Sequence, residues 1–258
     1  MYSSIVIEPK VLLFALFISV NLIASTLNHI DDTDETFGYW EVLHYVLNGK
    51  GMQTWEYAPI YAIRTYAFII PIYVWCFLMK SILRISSPVL LFQSVRVLLG
   101  LLTAYCETRF VLAINAKGKR KSIATFTAIF LLSSAGVFLS STAFLPSAVA
   151  MSLVMITCAS WLHGRFVLTI FWACVAVLWT GWPFVGVMFL PLGLHMLASR
   201  LFFSSTAASE STPAAALAGF SSSALGLIVT GALVLLLVGS SATAIDVFMY
   251  RRWYVFLD

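Results

Sequence analysis

Charge is what this chain has least of. Only 10% of its 258 residues are Asp, Glu, Lys or Arg, against 61% hydrophobic, and the mean hydropathy is +0.96. Soluble domains carry roughly 25% charged residues, and a soluble fold of this length could not enclose so much apolar surface. An integral membrane protein follows. Apolar runs of about 20 residues recur, without the alternation of an outer-membrane strand, so the fold class is an all-α, multi-span helical bundle. Cysteine is scarce as well. Cys76, Cys106, Cys158 and Cys174 each sit inside an apolar segment, with no metal-ligand spacing, and read as small buried hydrophobes. No Asn-x-Ser/Thr sequon occurs. No cleavable signal is evident either: the first apolar run, 11–27, is too long for a typical signal core and reads as an anchor that stays in the membrane. The net charge of +4 gives no case for a nucleic-acid partner.

The expected crossings are 11–27, 88–114, 122–142, 145–162, 166–180, 182–197 and 216–245. A further apolar run, 66–85, is weaker. It contains Pro71 and ends on Lys80 and Arg84, which suits a helix lying at the membrane surface. If it does not cross, the run KGKRK (Lys117, Lys119, Arg120, Lys121) falls on the same side as Lys10, Arg165 and Arg200. The positive-inside rule then puts that side, and the N-terminus, in the cytoplasm. Residues 28–65 become a non-cytoplasmic loop, and 66–86 a juxtamembrane helix. The run 166–197 is about twice what one span needs. It breaks at Gly181-Trp182-Pro183, giving two helices and a turn on the loop side, with one long kinked helix as the alternative. Residues 204–213 read as a polar cytoplasmic linker.

The loop is unlike the rest. Asp31, Asp32, Asp34, Glu35, Glu41 and Glu56 are six of the chain's 11 acids, four of them packed directly after the first span. Crowded carboxylates raise one another's pKa, which costs stability and suits proton transfer. Trp40, Trp55 and four tyrosines accompany them, with Tyr66 just beyond, rings that suit a membrane interface or a sugar face. Arg64 stands where the loop returns to the bilayer and an anionic headgroup would lie. Arg96, Glu107 and Arg109 are ionisable groups in or near a span. Snorkelling accounts for Glu107 and Arg109, and Arg96 is the second choice for a phosphate. His163 and His195 read as structural.

The run "DETFGYWEVLHYVLNGKGMQTWEYAPIYAIRTYAF" resembles the first luminal loop of glycosyltransferase family 22, of the GT-C superfamily. The likeness is to its dolichyl-phosphate-mannose-dependent α-1,2-mannosyltransferases of N-glycan precursor assembly. It extends through "SSTAFLPSAVAM" and "GWPF". The resemblance implies a GT-C membrane domain over 1–258, incomplete because members are roughly twice this length, in the endoplasmic reticulum membrane with the loop luminal. The donor it implies is dolichyl phosphate mannose, the acceptor a dolichyl-diphosphate-linked oligosaccharide, and the outcome inversion. The base carries onto Asp34, with Glu35 beside it, and Asp31 and Asp32 in a supporting electrostatic role at most. The leaving group is a phosphate, so neither metal nor cofactor is called for, and Arg64 is the candidate to hold it. Trp40, Glu41, His44, Gln53, Trp55, Glu56 and Tyr57 match the motif as substrate-binding candidates, His44 being equally well explained as a structural histidine. Rival readings are a GPI-anchor mannosyltransferase, disfavoured by "GMQTWEYAPIYAIRTYA", a truncated inactive paralogue serving as an assembly or binding subunit, and a transporter.

Overall fold

A computed structural model describes residues 9–116, 121–203 and 223–254. Lys117, Lys119, Arg120, the linker 204–213 and the start of the 216–245 run lie outside the described residues. Every regular element described is helical. In chain order they are α1 (Pro9–Leu27), a π-helical turn (Asp34–Trp40), α2 (Glu41–Asn48), α3 (Ile69–Ile82), α4 (Pro88–Ala116), α5 (Lys121–Ser133), α6 (Ala135–Ser140), α7 (Pro146–Leu162), α8 (Phe166–Cys174), a second π turn (Val175–Trp179), α9 (Gly186–Phe203) and α10 (Ala224–Tyr254). Single 3-10 turns cover Trp55–Tyr57 and Pro183–Val185. The protein is an all-α integral membrane protein. Among the described residues four helices are long and apolar enough to cross a bilayer: Pro9–Leu27, Pro88–Ala116, Pro183–Phe202 and Ala224–Arg251. Ile69–Ile82, Lys121–Ser133, Pro146–Leu162 and Phe166–Trp179 are apolar but shorter.

The single span expected over 122–142 is two helices. Ser134 leaves the helical region, and its side chain caps α6 by accepting from the Val137 N–H at 3.3 Å. A serine pair followed by Ala-Gly offers the backbone this alternative at little cost, where a run of Leu or Phe would not. The 166–197 run does divide into two helices. Gly181 takes φ +66°, a left-handed value that glycine adopts without strain, and Pro183 opens the next turn.

The long helix α4 is the hub. It packs against α1 closely enough that a Cβ on Gly100 would meet the Asn21 carbonyl at 3.2 Å. Thr103 ties α4 to α7 through the Ser152 hydroxyl at 2.9 Å. Glu107 does not snorkel. It is buried, and its Oε2 accepts from Asn21 Nδ2 at 2.9 Å, because a carboxyl this deep in the bundle reaches a polar partner on α1 more readily than water.

One end of the bundle gathers the connections that matter here. Gln93, early in α4, donates to the Ser25 carbonyl at the end of α1 at 2.6 Å. Asn28 donates to the Phe138 carbonyl of α6 at 2.7 Å. Gly181 lies so close to the loop that a Cβ there would come within 2.6 Å of Thr65 Cγ2. Both ends of α3 stay beside the loop: Ile69 bonds back to the Tyr66 carbonyl, and Lys80 Nζ donates to Asn48 Oδ1 at 2.7 Å.

Candidate active site

The residues after α1 wind as a π-helix, a rare winding frequently found at functional sites. Asp32 starts it, its carboxylate accepting from the Asp34 N–H at 2.9 Å. Neighbours on a helix point in different directions, and the two acids accordingly face different surroundings. The Asp34 side chain is 52% exposed, whereas Glu35 is 2% exposed. Glu35 Oε1 accepts from the Phe144 N–H at 2.9 Å, in the turn between α6 and α7. Burial raises the Glu35 pKa. The Phe144 hydrogen bond and the charge of Arg96 oppose that rise, and Asp32 and Asp31 add to it weakly. The expected crowding of carboxylates is therefore a minor cause there, and loss of water is the main one. Arg96 is buried on α4, where its Nη2 reaches Thr142 Oγ1 at 3.4 Å and its Nε has no partner.

Arg64 is reached by a tight turn. The Ala62 N–H bonds to the Ala58 carbonyl, Ala62 itself takes φ +43°, and the Ile63 N–H bonds to the Glu56 carbonyl at 3.0 Å. That closure brings the Glu56 and Arg64 side chains together. Arg64 Nε then donates to Glu56 Oε2 at 2.7 Å and Nη2 to Asp34 Oδ2 at 2.8 Å. Its guanidinium carbon lies 4.7 Å from the centre of the Tyr39 ring, and Nη1 is buried against Gly38 without an acceptor. Only 14% of the Arg64 side chain is exposed. Nε and Nη2 are taken by carboxylates and Nη1 is shut in against Gly38, so a phosphate reaches the fork by displacing a carboxylate. Burial pushes the Tyr39 hydroxyl up to about 12, so Tyr39 stays neutral beside this cluster.

The far end of α10 fastens the turn from behind. Asp246 accepts from Thr65 Oγ1 at 2.9 and 3.0 Å and from the Tyr66 N–H at 2.7 Å, and the Tyr250 hydroxyl donates to the Arg64 carbonyl. Sequence reasoning missed both residues, having ended its last span at residue 245. The usable signal was an acid on the edge of an apolar run, which needs a partner wherever it is buried.

The other motif residues brace the loop. Trp40 packs edge-on against Phe92 of α4 at 5.0 Å. Glu41 Oε1 accepts from the Met52 N–H at 3.1 Å, and His44 Nδ1 is buried beside Gly51 without a partner. Gln53 donates to the Tyr66 hydroxyl, and Tyr57 is buried against the Tyr66 ring with its hydroxyl unpartnered. Trp55 is exposed and pairs edge-on with the Tyr61 ring, at 5.4 Å. Asp34, Glu56, Arg64 and Tyr39 thus form one cluster, and Glu35 with Arg96 a second, buried one. Among the described residues no group of three His, Cys, Asp or Glu side chains is placed to hold a metal.

Comparison with known proteins bears on this arrangement. The model of the Alg9-like mannosyltransferase family matches residues 12–257. The α-1,2-mannosyltransferase ALG9 of Mus musculus is 35% identical over 187 residues, 72% of this chain and 30% of that protein. Its Drosophila melanogaster counterpart is 37% identical over 184 residues, 71% of this chain and 29% of that protein. The Saccharomyces cerevisiae protein is 35% identical over 200 residues, 75% and 36% respectively. The chain therefore matches about a third of the length of these relatives. No solved structure matches at a significant level. From a model match over nearly its whole length, and from relatives this similar, the chain belongs to the Alg9-like mannosyltransferase family.

Proposed function

We propose that this chain carries the base-bearing part of an α-1,2-mannosyltransferase of the endoplasmic reticulum membrane. The enzyme acts in N-glycan precursor assembly, using dolichyl phosphate mannose as donor and a dolichyl-diphosphate-linked oligosaccharide as acceptor. One observation carries the reading: among the exposed acids that follow α1, Asp34 is the one that Arg64 holds, Nη2 to Oδ2 at 2.8 Å, while Glu35 beside it is enclosed. In the proposed step the acceptor hydroxyl oxygen bonds to the mannose anomeric carbon as Asp34 takes its proton. The bond from that carbon to the phosphate oxygen breaks, and its electron pair leaves on the phosphate. Attack opposite the leaving group inverts the centre. A placed carboxylate contributes about 10²–10⁴-fold to such a step.

Arg64 has two duties in this proposal. It holds Asp34 at rest, and it meets the donor phosphate by exchanging a carboxylate for it, since a guanidinium fork suits either anion. Glu35 steadies the π-helix and Arg96 supplies positive charge behind it, too deep to be the first phosphate contact. The orientation proposed is the loop in the lumen. Lys10, Arg165 and Arg200 belong to helix ends away from the loop, which supports that assignment under the positive-inside rule. We assign seven crossings, with α3 at the surface.

The test is mannose transfer from dolichyl phosphate mannose to the lipid-linked oligosaccharide, by the wild-type chain and by Asp34→Asn. The nearly isosteric amide should lower transfer about 10²–10⁴-fold, with a loss of stability no larger than that of a half-exposed ion pair, about 0.2–1 kcal/mol. The same pair is also grafted into the matching part of a full-length relative, which separates a wrong residue from missing length. Equal transfer by Asp34→Asn in that graft would remove Asp34 from the role.

A further inference from the structure

An apolar surface lies apart from the cluster just described. At the tip of the loop Trp55 is 62% exposed and Ile60 84% exposed, with Tyr61 and Ile63 exposed beside them. Residues 57–63 carry no charge. The tip is a built structure. The Trp55 and Tyr61 rings meet edge-on at 5.4 Å, and the Tyr61 and Ala62 N–H groups both bond to the Ala58 carbonyl at 2.9 Å. Ala62 is held at a positive φ that residues other than glycine seldom adopt. Such ordering of uncharged, outward-pointing side chains is costly in water and marks an interaction surface.

The neighbourhood says what covers it. An open groove of about 560 Å³, lined by Pro59, Ala62, Asp246, Val247, Tyr250 and Arg251, joins the tip to the end of α10. That helix is one of the four able to span a bilayer, and its outward side chains Val247 and Phe248 are exposed next to the groove. The patch is continuous with the lipid-facing side of a span. Arg251 is exposed at the junction, on the rim of the groove, the level at which a phosphate headgroup meets a basic side chain. Trp and Tyr rings concentrate at that depth.

We propose that the tip, Trp55 with residues 57–63, inserts into the headgroup layer of the bilayer beside α10, and that a bilayer phospholipid occupies the groove with its phosphate on Arg251. Trp55 and Tyr61 sit among the headgroups, and Ile60 and Ile63 reach the first carbons of the chains. Arg64 follows Ile63 directly, so the depth of the tip sets the height of the Arg64–Asp34 pair above the hydrocarbon.

The test uses the full 258-residue chain in phosphatidylcholine nanodiscs. Ile60→Cys is labelled with an environment-sensitive fluorophore and Lys50→Cys serves as the comparison, each read against label taken up by the native cysteines. Both positions are exposed, so neither label disturbs packing. The Ile60 probe is expected to emit at shorter wavelength than the Lys50 probe, to be quenched at least twofold more by lipids brominated near the glycerol, and to be shielded from iodide. Iodide quenching equal to that at Lys50 would overturn the proposal. Shielding from both quenchers would overturn it too, as would a cross-link between Ile60→Cys copies, since each means that protein covers the tip. Lipid quenching of both probes alike would remove the tip's special role.

Discussion

Replacing Gly38 by alanine asks how far Asp34 depends on Arg64. A methyl built on Gly38 would lie 2.3 Å from Arg64 Nη1, 3.3 Å from Arg64 Cζ and 3.2 Å from Asp34 Oδ1. Non-bonded heavy atoms settle at about 3.5 Å, so the guanidinium must retreat by about 1 Å, which a long side chain can do. Its bonds to Asp34 and Glu56 are 2.8 and 2.7 Å. Hydrogen bonds weaken past about 3.2 Å, so the retreat cannot keep both. If the Asp34 contact yields, the loss is about 0.2–1 kcal/mol, because that carboxylate is half exposed. Alanine's advantage over glycine in a helix, about 0.8–1 kcal/mol, offsets it. If the Glu56 contact yields, a better-buried charged hydrogen bond of about 1.5–3 kcal/mol is lost, and roughly 1–2 kcal/mol of destabilisation remains. The first outcome is expected, since the methyl crowds Asp34 Oδ1 as well and Asp34 is the freer partner. Thermal unfolding in detergent should then move by less than about 4 °C, while mannose transfer falls. A double-mutant cycle supplies the decisive comparison. Asp34→Asn should cost stability in the wild type and almost none in Gly38→Ala, a coupling on the order of 0.5 kcal/mol. Strictly additive costs would show that the Asp34–Arg64 pair either survives the methyl or contributes nothing, and either result would refute the reasoning.

Two more outcomes rest on the same geometry. Burial holds the Glu35 carboxyl above its ordinary range, so the folded chain keeps a proton that the unfolded chain has released, and stability falls as pH rises through that window. Glu35→Gln keeps an acceptor for the Phe144 N–H and removes the titration. Its melting temperature should match the wild type near pH 4 and exceed it above about pH 5, and a lower value at neutral pH would mean the charge itself is needed. Asp246→Asn should cost about 1–3 kcal/mol and speed hydrogen exchange at the Tyr66 N–H, and unchanged protection there would discard the role given to α10.

What could be read from the sequence were features set by local chemistry. Hydropathy alone separates the helical runs from the loop, and Gly181-Trp182-Pro183 divides 166–197 because a left-handed glycine and a proline cannot continue a helix. The loop's importance was legible in its acids. Their division of labour was not, because whether Asp34 or Glu35 faces water depends on a π-helical winding and on the Phe144 N–H more than 100 residues away. Arg64 was read as an open anion site from its position, but the Asp34 and Glu56 carboxylates that fill its fork come from different turns of the loop. Ser134 ended a helix that apolar composition would have continued, and Glu107 found Asn21 on another span. The Ser134 cap is local, three residues from its partner, but Glu35, Arg64 and Glu107 were each decided by a partner distant in sequence.

The fastening of Thr65 and Tyr66 by Asp246 has a consequence in time. The two ends of those hydrogen bonds are 180 and 181 residues apart. At synthesis rates of about 5–20 residues per second, roughly 10–40 s pass between the emergence of the loop and that of its anchor. Through that interval the nascent loop has Asp34, Glu56 and Arg64 but not the Asp246 and Tyr250 hydrogen bonds that hold the turn from behind. The cluster assembles late, once the last helix of this stretch has entered the membrane. A nascent chain arrested before residue 246 should therefore expose the loop to protease, and one arrested well beyond it should protect the loop.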